Sequence, residues 1–183
     1  MSLKGVKHMP ALRKANAADV ERILEIYAPY ILNTTITFEY TVPTLEEFTA
    51  RFKSIADEFP YYVAEDEGRI VGYAYASRAF ERAAYAWDAD FSVYMDTEYR
   101  GHGVGKLLEA AVEEDLRKMG YHNLYAIITG DNEVSVRFHE KLGYTLAGKL
   151  TKSGYKNGKW LDVYWYEKRL CPPDAPKPIT AKI

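Results

Sequence analysis

The stretch Tyr99-Arg-Gly-His-Gly-Val-Gly-Lys106 places glycines at alternate positions and runs directly into an apolar helical pattern. Free N–H groups in the first turn of a helix bind phosphate oxygens, and glycines let those oxygens approach the backbone. Two phosphate motifs do not fit: Gly101 and Gly105 enclose three residues where a P-loop needs four, and Lys106 stands where a dinucleotide fingerprint needs glycine. The stretch predicts an anion site for another phosphate-bearing ligand, or else a turn that only joins a strand to a helix.

Hydrophobic periodicity predicts the elements that position this loop. A strand over residues 84–95 leads into it, and the longest helix, over 104–119, leaves it and stops at Gly120, a C-cap signal. Other helices are predicted over 18–32, from 45 onward after the Thr44-Leu-Glu-Glu47 capping box, and over 132–142. The remaining predicted strands cover 61–65, 70–77, 125–129 and 155–170, with hairpin turns at 66–68 and at Asn157-Gly158.

The bulk properties of the chain limit its possible functions. Its 183 residues suit one domain, predicted over 1–170, followed by a proline-rich tail over 171–183. A net charge of −2 argues against nucleic-acid and membrane partners, and no apolar run is long enough to span a bilayer. The start lacks a signal-peptide pattern and Cys171 is the single cysteine, so a cytoplasmic protein is expected. No metal-ligand spacing such as His-Glu-x-x-His is present, and no metal is expected.

Two segments resemble the cofactor motifs of the GNAT superfamily of N-acetyltransferases. Arg100-Gly-His-Gly-Val-Gly105 is similar to the Arg/Gln-x-x-Gly-x-Gly/Ala pattern that cradles the pyrophosphate of acetyl-CoA, and the stretch 132–144 is similar to the segment that meets the pantetheine arm. Over about residues 12–170 the chain further resembles the phosphinothricin and methionine sulfoximine acetyltransferase group. The narrower resemblance is carried by Thr37-Phe38-Glu39, Pro43-Thr44, Phe48, Arg82 with Tyr85-x-Trp87, Ser92-Val93-Tyr94, His139 and Gly154-Tyr155-Lys156-Asn157-Gly158-Lys159-Trp160.

The resemblance implies an α/β (α+β) fold of the GNAT type, a mixed central sheet split between two strands with helices on both faces. Acetyl-CoA is the implied cosubstrate, with its pantetheine arm in the split and paired with the main chain of residues 93–95, in the manner of strand addition. A homodimer is also implied, for which the aromatic strand 160–166 is a candidate interface. The implied cofactor-binding residues are Val93, Tyr94, Met95, Arg100, Gly101, His102, Gly103, Val104, Gly105, Lys106, Asn132 and Ser135.

Acetyl transfer to an amine needs two proton transfers. The acceptor ammonium must lose a proton before it attacks, and the departing thiolate benefits from receiving one. The group's base is a glutamate three residues after a tryptophan, and the count from Trp87 reaches Asp90, whose side chain is about 1.5 Å shorter. A bridging water, or Glu39 as a substitute base, would make up the difference, while His139 would lie near the sulfur as proton donor or as base. Structural roles stay open for both, with Asp90 solvated or paired with Arg82 and His139 bonded to the backbone.

The acceptor implied by the resemblance is the α-amine of a small amino-acid-like compound of the phosphinothricin, methionine sulfoximine or methionine sulfone type. Arg82 is the candidate cation for its carboxylate, and Phe38, Glu39 and Tyr85 are the other candidate acceptor-binding residues. Two positions just upstream of Arg82 depart from the group, which predicts a reshaped side-chain pocket. Two other functions stay open: acetylation of another amine, such as a polyamine, an aminoglycoside or a protein N-terminus, and a non-catalytic acyl-CoA-binding module.

Overall fold

The computed structural model describes residues 9–172 and 176–181. In these ranges the helices are α1 (Val20–Asn33), α2 (Leu45–Glu58), α3 (Val104–Met119) and α4 (Glu133–Lys141). The strands are β1 (Ala11–Lys14), β2 (Tyr61–Asp66), β3 (Arg69–Arg78), β4 (Asp88–Met95), β5 (Asn123–Thr129), β6 (Thr145–Lys156) and β7 (Lys159–Arg169). None of the described helices is both long and apolar enough to cross a membrane.

The strands form one mixed sheet in the order β1-β2-β3-β4-β5-β7-β6. Neighbouring strands are antiparallel except β4 and β5, which run parallel. The β4–β5 register covers only three pairs, from Asp88 with Asn123 to Asp90 with Tyr125, whereas β3 and β4 stay paired as far as Met95. The two central strands therefore separate beyond Asp90, which confirms the predicted split.

Alternation of apolar side chains along the strands gives the sheet a core on each face. On one face α3 buries Leu108, Val112 and Leu116 against the central strands. On the other face α1 and α2 cover β2 and β3, where Ile23 and Tyr73 are almost fully buried. Helices on both faces of the sheet are therefore confirmed.

Several element ends follow local signals in the sequence. The predicted capping box at the start of α2 is formed, because Thr44 Oγ1 accepts from Glu47 N at 3.2 Å and the Glu47 carboxylate accepts from Thr44 N at 2.8 Å. α3 ends at Gly120, whose φ of +96° is the left-handed cap that glycine favours. Both predicted hairpin turns, at Glu67-Gly68 and Asn157-Gly158, have positive φ at their two central residues, as a type I′ turn requires.

Two strands differ from the sequence prediction. The strand predicted over 84–95 begins only at Asp88, because Ala83–Tyr85 form a 3₁₀ turn in a segment whose Phe80 stacks on Trp165. β6 starts at Thr145, ten residues before the predicted strand. It is an edge strand with two register irregularities and mostly exposed side chains, so its first half lacks the alternation that predicts a strand.

The described part of the tail packs against the domain. Residues 176–181 contain neither helix nor strand. Trp87 Nε1 donates to Lys177 O at 2.7 Å, and Thr180 N donates to Met119 O at 3.0 Å at the end of α3. Ile179 is partly buried against the core on the α3 face.

Candidate active site

Asp90 lies at the last position at which β4 pairs with β5, where the two central strands begin to separate. Its register partners are Ser77 on β3 and Tyr125 on β5. Because residues in register point to the same side of a sheet, we call the side that carries Ser77, Asp90 and Tyr125 the Asp90 face. Tyr75, two residues before Ser77, extends this face towards α1 and α2.

The surroundings of Asp90 change its acidity. The side chain is half-buried. Burial disfavours the charged carboxylate and raises its pKa from 3.8 to about 7, against the opposing effect of a hydrogen bond from Phe91 N to Oδ1 at 3.1 Å. Among the described residues Asp90 forms no ion pair with Arg82, so no guanidinium lowers this pKa. A carboxyl that titrates near neutrality is suited to accept a proton from an amine.

His139 is neutral at physiological pH. Its side chain is buried, which lowers its pKa from 6.5 to about 4. Nδ1 lies 2.8 Å from Ser135 O and, because a carbonyl only accepts, carries the ring proton. Nε2 therefore has a lone pair, is buried, and has no hydrogen-bond partner within the described ranges. An imidazole in this state can accept a hydrogen bond at Nε2 but carries no second proton, so the predicted role as proton donor to a thiolate does not fit it.

His139 and Asp90 lie on opposite sides of the sheet. The His139 ring packs edge-on against Phe91 and Tyr144, with centroid distances of 6.0 Å and 5.0 Å. Phe91 follows Asp90 on β4, and successive side chains of a strand point to opposite faces. The histidine can reach groups on the Asp90 face only through the gap between β4 and β5.

The glycine loop has room beside its backbone. Gly101 and Gly103 have φ of +81° and +83°, and a Cβ added to either would meet no atom within 4 Å. α3 begins at the next residue, Val104, whose side chain is in the core, so that only its backbone faces the loop. At Gly105 a Cβ would touch the Phe138 ring at 3.4 Å. Open backbone at a helix N-terminus fits an anionic ligand such as a pyrophosphate.

Residues with basic side chains border this loop. The Arg100 guanidinium lies 4.7 Å from the centre of the Tyr30 ring, an attractive cation–π arrangement. His102 and Lys106 are exposed on the loop and at the start of α3. The residues predicted to bind the pyrophosphate therefore lie next to one another, and the Arg100 side chain is directed towards α1.

The main chain of β4 faces the split at alternate residues. Asp96 donates its N–H to a β3 carbonyl at 2.8 Å, so the main chain of Tyr94 also points to β3, while that of Val93 and Met95 points to the β5 side. Tyr30 Oη already bonds both groups of Met95, donating to O at 2.7 Å and accepting from N at 3.0 Å. Within the predicted segment, Val93 therefore offers the main chain that faces the gap.

Asn132 and Ser135 organise the start of α4. Asn132 Oδ1 accepts from Ser135 N at 3.2 Å, which is an N-cap. Ser135 Oγ lies 3.2 Å from His139 Nδ1. The side-chain oxygen of Asn132 is thus used by the helix, and its amide N–H₂ remains the group that can donate to a ligand.

Phe38 and Glu39 lie in the loop that joins α1 to α2, which we call the 34–44 loop. Glu39 Oε1 accepts from Arg51 Nη1 at 2.6 Å and from Tyr27 Oη at 2.9 Å. The Phe38 ring packs so closely on Gly154 of β6 that no space remains there for a Cβ. Both predicted residues are therefore fixed from two directions, by the helices and by β6.

Arg82 and Tyr85 are exposed in the segment between β3 and β4. Phe80 anchors this segment on the Asp90 face, where its ring is 5.6 Å from Trp165, 5.7 Å from Tyr125 and 4.6 Å from Tyr85. The segment therefore borders the Asp90 face. We call the part of this face that carries Asp90, between the segment and the 34–44 loop, the acceptor cleft.

The sequence prediction missed Arg51, Tyr27 and Tyr30 in this candidate site. Arg51 lines a narrow pocket with Tyr27 and Tyr75 beside Glu39, and Tyr30 holds the end of β4. Arg51 stands on a helix whose pattern shows only a buried stripe, and nothing in the sequence separates it from other surface arginines. No cluster of three or more His, Cys, Asp or Glu side chains suited to a metal ion occurs in the described part of the chain.

Comparison with known proteins agrees with this geometry. The family described as Acetyltransferase (GNAT) domain matches residues 12–165. The phosphinothricin N-acetyltransferase of Streptomyces viridochromogenes is 34% identical over 168 residues, which cover 92% of each chain. The L-methionine sulfoximine/L-methionine sulfone acetyltransferase of Pseudomonas aeruginosa strain PAO1 is 34% identical over 166 residues, or 88% of this chain and 95% of the relative.

Among solved structures, a GNAT superfamily phosphinothricin acetyltransferase (Pat) from Sinorhizobium meliloti in complex with AcCoA superimposes with a TM-score of 0.89. It is 36% identical, and the match covers 93% of this chain and 94% of that one. The split sheet, the glycine loop at the start of α3 and the sequence matches point to the same conclusion. The chain belongs to the GNAT family of acetyltransferases.

Proposed function

We propose that the protein is an acetyl-CoA-dependent N-acetyltransferase that acetylates the α-amine of a small amino-acid-like compound of the phosphinothricin, methionine sulfoximine or methionine sulfone type. The observation that carries the proposal is the position of Asp90. A carboxyl with a pKa of about 7 lies on the Asp90 face at the point where β4 and β5 begin to separate. The names of the relatives support this class of acceptor.

The cofactor site is assigned by the groups that fit it. Acetyl-CoA supplies an activated acetyl thioester. The open backbone of Gly101 and Gly103 and the first amides of α3 fit its pyrophosphate, with Arg100 adding positive charge. Val93 offers main-chain groups to the pantetheine arm, and the amide N–H₂ of Asn132 offers a donor beside it. His102, Lys106 and Ser135 border the same path.

Asp90 acts as the base in this proposal. Its carboxylate takes a proton from the acceptor ammonium, directly or through one water, since the aspartate side chain is shorter than the glutamate of the resembling group. The uncharged amine then attacks the thioester carbonyl. Near pH 7 the carboxyl is present in both protonation states, so that it can also release the proton after each turnover.

His139 lies on the face of the sheet opposite Asp90 and contributes a hydrogen-bond acceptor to the proposed reaction. Its Nε2 lone pair is buried and has no hydrogen-bond partner among the described residues, and the Nδ1–H bond to Ser135 O fixes the ring tautomer. We propose that Nε2 accepts a hydrogen bond from a bridging water or from the nascent thiol. Because a neutral imidazole has no proton to give from Nε2, the departing thiolate would receive its proton from water or from protonated Asp90.

The acceptor residues are Phe38, Glu39, Arg82 and Tyr85, and Arg51 is added to them. Glu39 with Arg51 places one negative and one positive group at the same side of the cleft, a combination that suits a zwitterionic amino acid. Arg82, in the segment between β3 and β4, remains the candidate cation for the acceptor carboxylate or for the polar end of its side chain.

We also propose a cytoplasmic homodimer. Tyr155 and Trp160 on the β6–β7 hairpin are 49% and 60% exposed, and aromatic residues are enriched in subunit interfaces. In the predicted interface strand, Leu161, Val163 and Tyr166 are buried in the core of the chain itself, so the hairpin tip and not the whole strand is the proposed contact. Light scattering at micromolar concentration tests this assembly.

A thiol-release assay tests the activity. Acetyl-CoA is offered with phosphinothricin, methionine sulfoximine, methionine sulfone, ordinary amino acids, a polyamine, an aminoglycoside and a peptide N-terminus. Turnover with the first three supports the proposal. Turnover only with one of the others assigns another amine, and a thermal shift with acetyl-CoA but no turnover identifies a binding module.

A further inference from the structure

The segment Gly154-Tyr155-Lys156 of β6 is far from the glycine loop in sequence and has no part in the proposed chemistry. All three of its residues nevertheless contact the 34–44 loop. Phe38 packs on Gly154, and Tyr40 Oη donates to Tyr155 O. Lys156 donates to the main chain of the same loop.

Lys156 is a buried lysine whose hydrogen-bond partners among the described residues are main-chain oxygens. It is 2% exposed, and Nζ donates to Ile31 O at 2.8 Å and to Thr37 O at 2.7 Å. Ile31 O belongs to the last turn of α1, where helix carbonyls have no partner within the helix and where a positive charge is favourable. The ammonium therefore links β6, the end of α1 and the start of the loop.

Removing an ammonium from water carries a large free-energy cost, and no ion pair with a carboxylate offsets it among the described residues. Burial lowers the pKa of Lys156, while the nearby charge of Glu39 acts in the opposite direction. An apolar side chain of the same length would fill this place without that cost. The lysine is therefore better explained by the loop geometry that it imposes than by stability.

We infer that Gly154-Tyr155-Lys156 is a docking surface for the 34–44 loop and that Lys156 is a positioning residue, which sets Glu39 at the acceptor cleft. Thr37 connects Lys156 to Glu39. Lys156 holds its carbonyl, and Tyr27 Oη contacts its Oγ1 at 2.8 Å while donating to Glu39 two residues later. The role of Glu39 in acceptor binding rests on the proposed function, whereas the docking itself does not.

The first test compares two lysine variants of the same strand in the full-length protein. Lys156→Met removes both donor bonds at nearly constant length, and Lys149→Met removes an exposed ion pair with Asp162 and a cation–π contact with Tyr164, away from the 34–44 loop. In the unliganded protein, amide exchange of residues 34–42 is expected to rise by about tenfold in Lys156→Met and to stay unchanged in Lys149→Met. Unchanged exchange in Lys156→Met, or an equal rise across α3, would overturn the docking role.

Kinetic measurements on Lys156→Met and Lys156→Arg test the positioning role. Lys156→Met is expected to raise the acceptor KM by about tenfold, with acetyl-CoA affinity and kcat changed less than about twofold. Lys156→Arg keeps the charge and the donors and should recover part of the loss. An unchanged acceptor KM in an active Lys156→Met enzyme refutes positioning. Faster loop exchange in a protein that acetylates no compound of the panel supports the docking and counts against the proposed function alone.

A third comparison approaches the loop from its other contact. In Gly154→Ala the new methyl group displaces the Phe38 ring while Lys156 stays intact. The exchange of residues 34–42 should rise in this variant, and much less when Gly154→Ala is made in a Phe38→Ala background, because the clash is then absent. Equal effects in the two backgrounds would show that Gly154 does not act through Phe38.

Discussion

Arg51 Nη1 lies 2.6 Å from Glu39 Oε1, so that the carboxylate at the side of the cleft is already held by a cation. Tyr27 Oη donates to the same oxygen at 2.9 Å. Asp90, in contrast, accepts only the amide of its own neighbour among the hydrogen bonds of the described residues. Of the two carboxylates considered as the base, Asp90 is therefore the one free to take a proton.

Asp90→Asn should lower kcat by roughly 10²–10⁴-fold, because the amide cannot accept the ammonium proton. Thiol release at saturating acetyl-CoA measures the change, and Glu39→Gln is the comparison. If Glu39→Gln loses as much kcat as Asp90→Asn, or more, then the base is Glu39.

The pH dependence of turnover should follow the same carboxyl. The pKa of Asp90 is about 7, so kcat/KM of the wild type is expected to rise between about pH 6 and 8 and to level above that range. The residual activity of Asp90→Asn should lack this step. A step at the same pH in both proteins would assign it to another group.

Asp90→Asn should also stabilise the fold in alkaline solution. The folded-state pKa of about 7 is above the ordinary 3.8, so the stabilising effect of the protonated form is complete below pH 3.8 and is lost as the pH rises through 7. The asparagine is neutral throughout. Its free energy of unfolding should exceed that of the wild type by up to about 4 kcal/mol at pH 8 and differ little at pH 4.

Urea titrations of both proteins at pH 4, 6 and 8 measure this difference. Other groups that titrate in the same range, among them His139, are common to the two proteins and cancel. A stability difference that is constant with pH would mean that the Asp90 carboxyl is not desolvated as its surroundings indicate.

Gly103→Ala should separate ligand binding from folding. The left-handed φ of +83° costs an alanine about 1 kcal/mol of stability, and the methyl group enters the open space assigned to the pyrophosphate. Calorimetry should therefore show acetyl-CoA affinity reduced by about tenfold or more. Gly148→Ala, on the exposed edge strand with open space around it, is the control. Equal acetyl-CoA affinity in both variants would remove the loop from the cofactor site.

Arg51→Met should raise the acceptor KM by about tenfold while leaving acetyl-CoA affinity unchanged, since Glu39 loses its charged partner on the acceptor side only. Arg117→Met, which breaks an exposed i, i+4 pair with Glu113 on α3, serves as the matched control. Parallel losses of acceptor and acetyl-CoA binding would indicate a general disturbance of the fold in place of a role in the cleft.

The sequence predicted the elements whose signals are local. Capping residues and turn dipeptides act within four residues of the chain. The start of α2 and the two type I′ turns are therefore observed at the positions that Thr44 and the two glycine-containing turn sequences predict. β1 and the first half of β6 are held by register with neighbouring strands and have no such signal. The four-residue β1 is not predicted at all.

The sequence supplied the candidate site residues one by one, but not their arrangement. Family motifs predicted Asp90 and His139 as candidates, yet the face on which each lies depends on the strand register and on the packing of α4. The loss of a positive charge on His139 depends on burial, which one sequence does not reveal. The link from Lys156 to Thr37 joins residues 119 positions apart and has no sequence signal beyond the motif itself.

The gap between β4 and β5 also affects how the chain unfolds. Three register pairs join these strands, whereas seven join β3 to β4 and seven join β5 to β7. The sheet is therefore weakest between β4 and β5, because the half on either side of this boundary shares few backbone hydrogen bonds with the other. A ligand that hydrogen-bonds to both β4 and β5 would join the two halves of the sheet. Without ligand, β4 and β5 should separate from each other before the chain unfolds globally. With ligand bound, the chain should unfold as one cooperative unit.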